Sequence, residues 1–142
     1  PIYDIFRATH EHVGGDRWRR TGTVAARPAR AGEVVEAART SGVWIVAGGM
    51  PEASGDSDRP FNTSLLVSPS GEVAARYRKM HLFDVDLADG TKLLESGATR
   101  AGDAPVVAEA LGHKLGMTIC YDVRFPELYR ELLDQGARVR IF

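Results

Sequence analysis

Thiols are almost absent from this chain of 142 residues: Cys120 is its one cysteine. That excludes an internal disulfide framework and makes a reducing cytoplasm the default location. Lysine is nearly as scarce, confined to Lys79, Lys92 and Lys114, with arginine supplying the rest of the basic charge. No apolar run approaches the roughly 20 residues of a membrane-crossing helix, and the opening residues carry no secretory pattern, so no membrane partner is expected. A formal net charge of −1, with no dense Lys/Arg tract, excludes an electrostatic claim on nucleic acid. The best basic cluster, Arg17-Trp18-Arg19-Arg20, reads as a solvated segment. His10-Glu11-His12 lacks the spacing that places two histidines on one helix face, so it reads as a polar loop. No metal and no organic cofactor are expected.

What is present suffices for one hydrophobic core and is too short to divide into two domains. Residues 1–28 show no steady period and read as an atypical N-terminal segment, a candidate for disorder. From Ala29 the texture changes. Val34, Val35, Ala37 and Ala38 can pack while Glu33, Glu36 and Arg39 face away, predicting an amphipathic helix to Thr40 that Ser41-Gly42 stops. The apolar run Val43 to Ala47 predicts a strand buried on both faces, followed by a polar loop from Met50 to Pro60. Phe61 to Val67 and Val73 to Arg78 predict a hairpin across Ser68-Pro69-Ser70-Gly71-Glu72. Lys79 to Asp103 reads as a long loop, and loops of that length tend to be functional or mobile. Two further strands are expected at Pro105 to Ala110 and Leu115 to Cys120, with Gly112 turning the chain between them. A helix from Pro126 should bury Leu128, Tyr129, Leu132 and Leu133 and end at Gln135-Gly136. Val139 to Phe142 begins another strand, spaced for a parallel crossover. Helix, strand and hairpin in this order give an α/β layer architecture. Because the sequence stops within an element, it reads as a piece of a larger fold.

Cys120 closes an apolar strand and is followed at once by Asp122, Arg124 and Glu127. A thiol at a strand-to-helix turn can attack a carbonyl or nitrile carbon, and free N–H groups beyond it can receive negative charge. The competing reading is a packed thiol, since free cysteine is often buried. Lys79 ends a strand just before the long loop. An ammonium there would favour a nearby thiolate and steady an oxyanion; the competing reading is a surface lysine.

Two stretches resemble the motifs of the nitrilase, or carbon–nitrogen hydrolase, superfamily. Tyr77-Arg78-Lys79-Met80-His81-Leu82-Phe83-Asp84 is similar to its lysine motif, and Thr118-Ile119-Cys120-Tyr121-Asp122-Val123-Arg124-Phe125-Pro126-Glu127 to its nucleophile motif. The wording is closest to the omega-amidase-like branch, and the resemblance covers residues 29–142. It implies a partial α-β-β-α sandwich and a cytoplasmic enzyme acting on a small amide. It further implies homo-oligomers of the complete protein and no need of a cofactor. It also implies roles. Cys120 attacks the amide carbon to form a thioester with loss of ammonia, Lys79 and the backbone N–H of Tyr121 hold the oxyanion, and Glu127 is the accessory acid that positions the lysine or substrate. The family's general-base glutamate lies in a Phe-Pro-Glu type motif upstream of the first helix. Nothing between Pro1 and Arg27 has that form, so whether this chain acts as an enzyme is left open beside a catalytically inactive role in assembly.

Overall fold

The computed structural model describes residues 28–141, so the His10–His12 and Arg17–Arg20 readings lie outside the described residues. The first helix among the described residues, α1 (Pro28–Ser41), turns Val34 and Ala38 inward. It ends where Gly42 takes a left-handed φ of 66° and its N–H returns to the carbonyl of Ala38, a conformation glycine adopts without penalty. Strands β1 (Ile45–Glu52), β2 (Phe61–Val67) and β3 (Val73–Arg78) form an antiparallel sheet in that order. The hairpin falls where the sequence predicts it.

β1 departs from expectation twice. It lies at the sheet edge and is only half-buried, because just one neighbour covers it, whereas its apolar run predicts burial on both faces. It also runs on to Glu52 through an irregularity between Ala47 and Met50, taking residues assigned to the loop. Gly48-Gly49 sits at that break, with Gly49 at φ 72°.

The second sheet contains β6 (Val106–Ala110), β7 (His113–Met117) and β8 (Val139–Ile141). β6 and β7 pair antiparallel, while β7 and β8 pair parallel. The parallel pair is joined through α2 (Pro126–Asp134), the crossover that parallel strands require. α2 starts with proline, whose missing N–H costs nothing in a first turn. It ends at Gly136, φ 93°, with Gly136 and Ala137 donating to the carbonyls of Leu133 and Leu132. Leu128 and Leu132 are buried, whereas Leu133, expected in the same stripe, is exposed.

Alternation along the strands assigns the layers. Leu65 and Val67 face α1, packing with Val34 and Ala38. Leu66 and Tyr77, on the other face, meet Ala108, Ala110, Met117 and Ile119 of the second sheet. The far side of that sheet receives α2 through Leu128, Leu132, Ala137 and Val107. The order is therefore helix, sheet, sheet, helix. Each fully buried aliphatic side chain contributes about 1.5–3 kcal/mol. Gly116 lets α2 approach closely, since a Cβ there would stand 3.1 Å from Leu132 Cδ1 and 3.3 Å from Ala137 Cβ.

The long loop is more ordered than its sequence suggests. It folds into a small hairpin of β4 (Asp84–Asp86) and β5 (Lys92–Leu94), followed by a 3-10 turn at Glu95–Gly97. No helix among the described residues is long and apolar enough to cross a membrane.

Candidate active site

Lys79 follows the last residue of β3, and its side chain is only 3% exposed. A buried ammonium must find a counter-charge or lose its proton. It finds Glu95, whose Oε2 accepts from Lys79 Nζ at 2.5 Å. The same oxygen accepts from the backbone N–H of Phe83 at 2.6 Å, and Asn62 Nδ2 approaches Oε1 at 3.5 Å. The backbone of Lys79 is fixed on both sides, its N–H donating to the carbonyl of Asn62 and its carbonyl accepting from Gly102 N–H, both at 2.8 Å. Gly102 is required by proximity: a Cβ there would fall 2.3 Å from the carbonyl oxygen of Arg78.

Cys120 opens a short 3-10 turn, Cys120–Arg124, that links β7 to α2. It is exposed and has φ 48°, a left-handed conformation that costs a non-glycine residue about 1–2 kcal/mol. Such an outlier on a chemically reactive side chain, held in place by its surroundings, is the pattern of a functional turn. Tyr121 is half-buried and meets Phe83 and Phe125 edge-on, with centroids 4.8 and 5.5 Å apart. Phe125 in turn stacks on His81 at 3.8 Å.

The two halves are joined by Asp122, which is fully buried. It reaches Tyr77 and His81, the residues two before and two after Lys79. The Cys120 turn and the Lys79 segment are therefore packed against each other through one carboxylate. Tyr77 is held as the neutral phenol, its titration pushed upward first by burial and then by its hydrogen bond to Asp122.

Glu127 does not join this group. It lies in the first turn of α2 with its side chain 75% exposed and pairs with Arg130 at 3.3 Å. The carboxylate on Lys79 is Glu95, a residue of the stretch whose lack of period predicts only a long loop. One signal could have found it: a lysine placed to enter a pocket needs a nearby acid, and the long loop after Lys79 is the adjacent stretch that offers several. Among the described residues, no three His, Cys, Asp or Glu side chains converge as a metal-binding group.

Beside Lys79, on the opposite face of the first sheet from Tyr77, Glu52 accepts from Arg78 Nη2 at 2.8 Å, Thr63 Oγ1 at 2.8 Å and Arg76 Nη1 at 3.1 Å. Its carboxyl titrates below the usual value, chiefly because of the Arg78 hydrogen bond, with partial burial opposing. Arg78 also lies over the Phe61 ring at 4.2 Å. This cluster clamps the three strands at the end of the sheet where β3 leads into Lys79.

Comparison with known proteins places these residues in a lineage. The carbon–nitrogen hydrolase family model matches residues 15–142. The deaminated glutathione amidase of Synechocystis is 48% identical over 100 residues, covering 68% of this chain and 37% of that protein. Nitrilase homolog 2 of Dictyostelium discoideum is 36% identical over 107 residues, covering 75% of this chain and 33% of its own length. Among solved structures, the Caenorhabditis elegans NitFhit protein superposes with a TM-score of 0.74 at 33% identity, over 82% of this chain and 29% of that one. A mutant of the Nesterenkonia sp. AN1 amidase superposes with a TM-score of 0.66 at 28% identity, over 79% of this chain and 39% of that one. That structure shows the acetamide moiety of fluoroacetamide covalently added at the active-site cysteine. The matched part of the chain thus spans between 29% and 39% of the length of these relatives.

Proposed function

Because this chain belongs to the carbon–nitrogen hydrolase family, we propose that it supplies the nucleophile and the oxyanion-holding lysine of an amidase acting on a small carboxamide, of which an ω-amide of a dicarboxylic acid is one. Cys120 Sγ bonds to the carbonyl carbon, the C–N bond breaks, and ammonia leaves with the proton that the thiol gave up. Water then splits the thioester, releasing the acid and restoring the thiol. Lys79 and the N–H of Tyr121 hold the oxyanion that forms in each half-reaction. Glu95, in place of Glu127, keeps the lysine charged and aimed. The observation that carries this reading is the buried Lys79–Glu95 pair on a segment tied to the Cys120 turn. The cytoplasmic setting and homo-oligomeric assembly belong to the same proposal.

The test is alkylation of the full-length protein with an iodoacetamide probe, alongside ammonia release from succinamate and related ω-amides. Cys120 should be the labelled residue, and Cys120→Ala should abolish ammonia release. Hydrolysis that survives Cys120→Ala overturns the mechanism. Labelling at Cys120 without turnover of any small amide favours a catalytically silent member that acts in assembly.

A further inference from the structure

Asp122 has no part in the reaction just described, yet it is the most completely enclosed charged side chain among the described residues. An ionised carboxylate carries about four acceptor positions, and burying one costs several kcal/mol unless those positions are filled. Here four donors fill them. Oδ2 accepts from Tyr77 Oη at 2.7 Å and from the backbone N–H of Ile119 at 2.8 Å. Oδ1 accepts from the backbone N–H of His81 at 3.1 Å and contacts His81 Nδ1 at 2.7 Å. With a carboxylate opposite, that ring nitrogen is the one bearing hydrogen.

A carboxylate so occupied has no lone pair left to take the proton of a thiol, which excludes it as a general base. What it can do is fix geometry. The Ile119 bond holds the residue before Cys120, where the backbone bends into its left-handed conformation. Tyr77 and His81 bracket Lys79, and the Tyr77 hydroxyl also accepts from Met80 N–H at 3.3 Å. We infer that Asp122 is a positioning residue that sets the separation of Cys120 from Lys79, acting through Ile119 on one side and through Tyr77 and His81 on the other. This rests on the amidase reading for its catalytic consequence but not for its geometry.

The variants are Asp122→Asn and Tyr77→Phe in the full-length protein. An asparagine Nδ2 must turn toward at least one backbone N–H, leaving donor against donor, whereas Tyr77→Phe removes one donor and conserves the ring packing. We expect Asp122→Asn to lower kcat for succinamate by about 10–100-fold with KM changed far less, since misplacing a reacting group by ~1 Å costs about that much. Tyr77→Phe should show a smaller loss of the same kind. Iodoacetamide alkylation at neutral pH should slow in both variants, because Lys79 no longer supports the thiolate. Alkylation that speeds up in Asp122→Asn would mean that the carboxylate acts through its charge, and would overturn the inference. So would normal alkylation and normal kcat in a folded Tyr77→Phe protein if Asp122→Asn does not fold. If the wild type hydrolyses no amide but both variants still alkylate slowly, the amidase reading fails and the positioning role stands.

Discussion

Two acids hold the Lys79 segment, Glu95 by the lysine itself and Asp122 by its neighbours Tyr77 and His81, and they are used in opposite ways. Asp122 is sealed and holds mostly neutral donors, two of them backbone N–H groups. Glu95 keeps 21% of its side chain exposed and spends one oxygen on an ammonium and a loop N–H, while its other oxygen has a single long contact from Asn62. A saturated carboxylate can only hold a shape, whereas one with spare acceptor capacity and a charged partner can follow a change in that partner's charge. Burial alone does not tell the two acids apart; the identity of their donors does.

Glu95→Gln is the sharpest way to break that contrast. It keeps the side-chain shape but removes the negative charge facing Lys79, and should lower kcat for ω-amide hydrolysis by about 10²–10⁴, the usual worth of assisted proton and charge handling at a site. Steady-state kinetics on the full-length protein check it, and an unchanged kcat would return Glu95 to a structural role. Gly102→Ala attacks the same lysine from its backbone side. A methyl group 2.3 Å from the Arg78 carbonyl must push the strand end away, so we expect about 1–3 kcal/mol of destabilisation in denaturant unfolding, the typical cost of overpacking, with a parallel fall in kcat.

Glu52 tests the contrast by pH. Its native carboxyl binds a proton more weakly than in the unfolded chain. Its contribution to stability is therefore complete above its ordinary value of 4.5 and is lost as pH falls from there through the lowered native value. Glu52→Gln should flatten the acid side of a melting-temperature profile and leave the neutral side lower and level. The smallest effect belongs to Glu127→Gln: an exposed helical ion pair is worth about 0–1 kcal/mol, so kcat should change by less than about twofold. A large loss there would restore Glu127 as the accessory acid.

Much of this arrangement was legible beforehand. The hairpin, α2 with its proline start and glycine stop, and the return to a parallel strand follow from local periods and turn residues, which act over a few positions of chain. Lys79 and Cys120 stood out through their motifs. Glu95 was hidden because it is 16 residues from Lys79 across a stretch with no period, and β1 was misjudged because an apolar run cannot report how many strands will flank it.

By itself the sequence determined most of the elements and their order and marked Cys120 and Lys79, since propensity, capping and hydrophobic alternation are local properties of the chain. Only the tertiary structure decided which carboxylate meets the lysine and which one ties lysine to thiol. Those pairings join residues 16 to 45 positions apart, and they exist because two sheets and a small hairpin close around a buried charge that cannot be left without a partner.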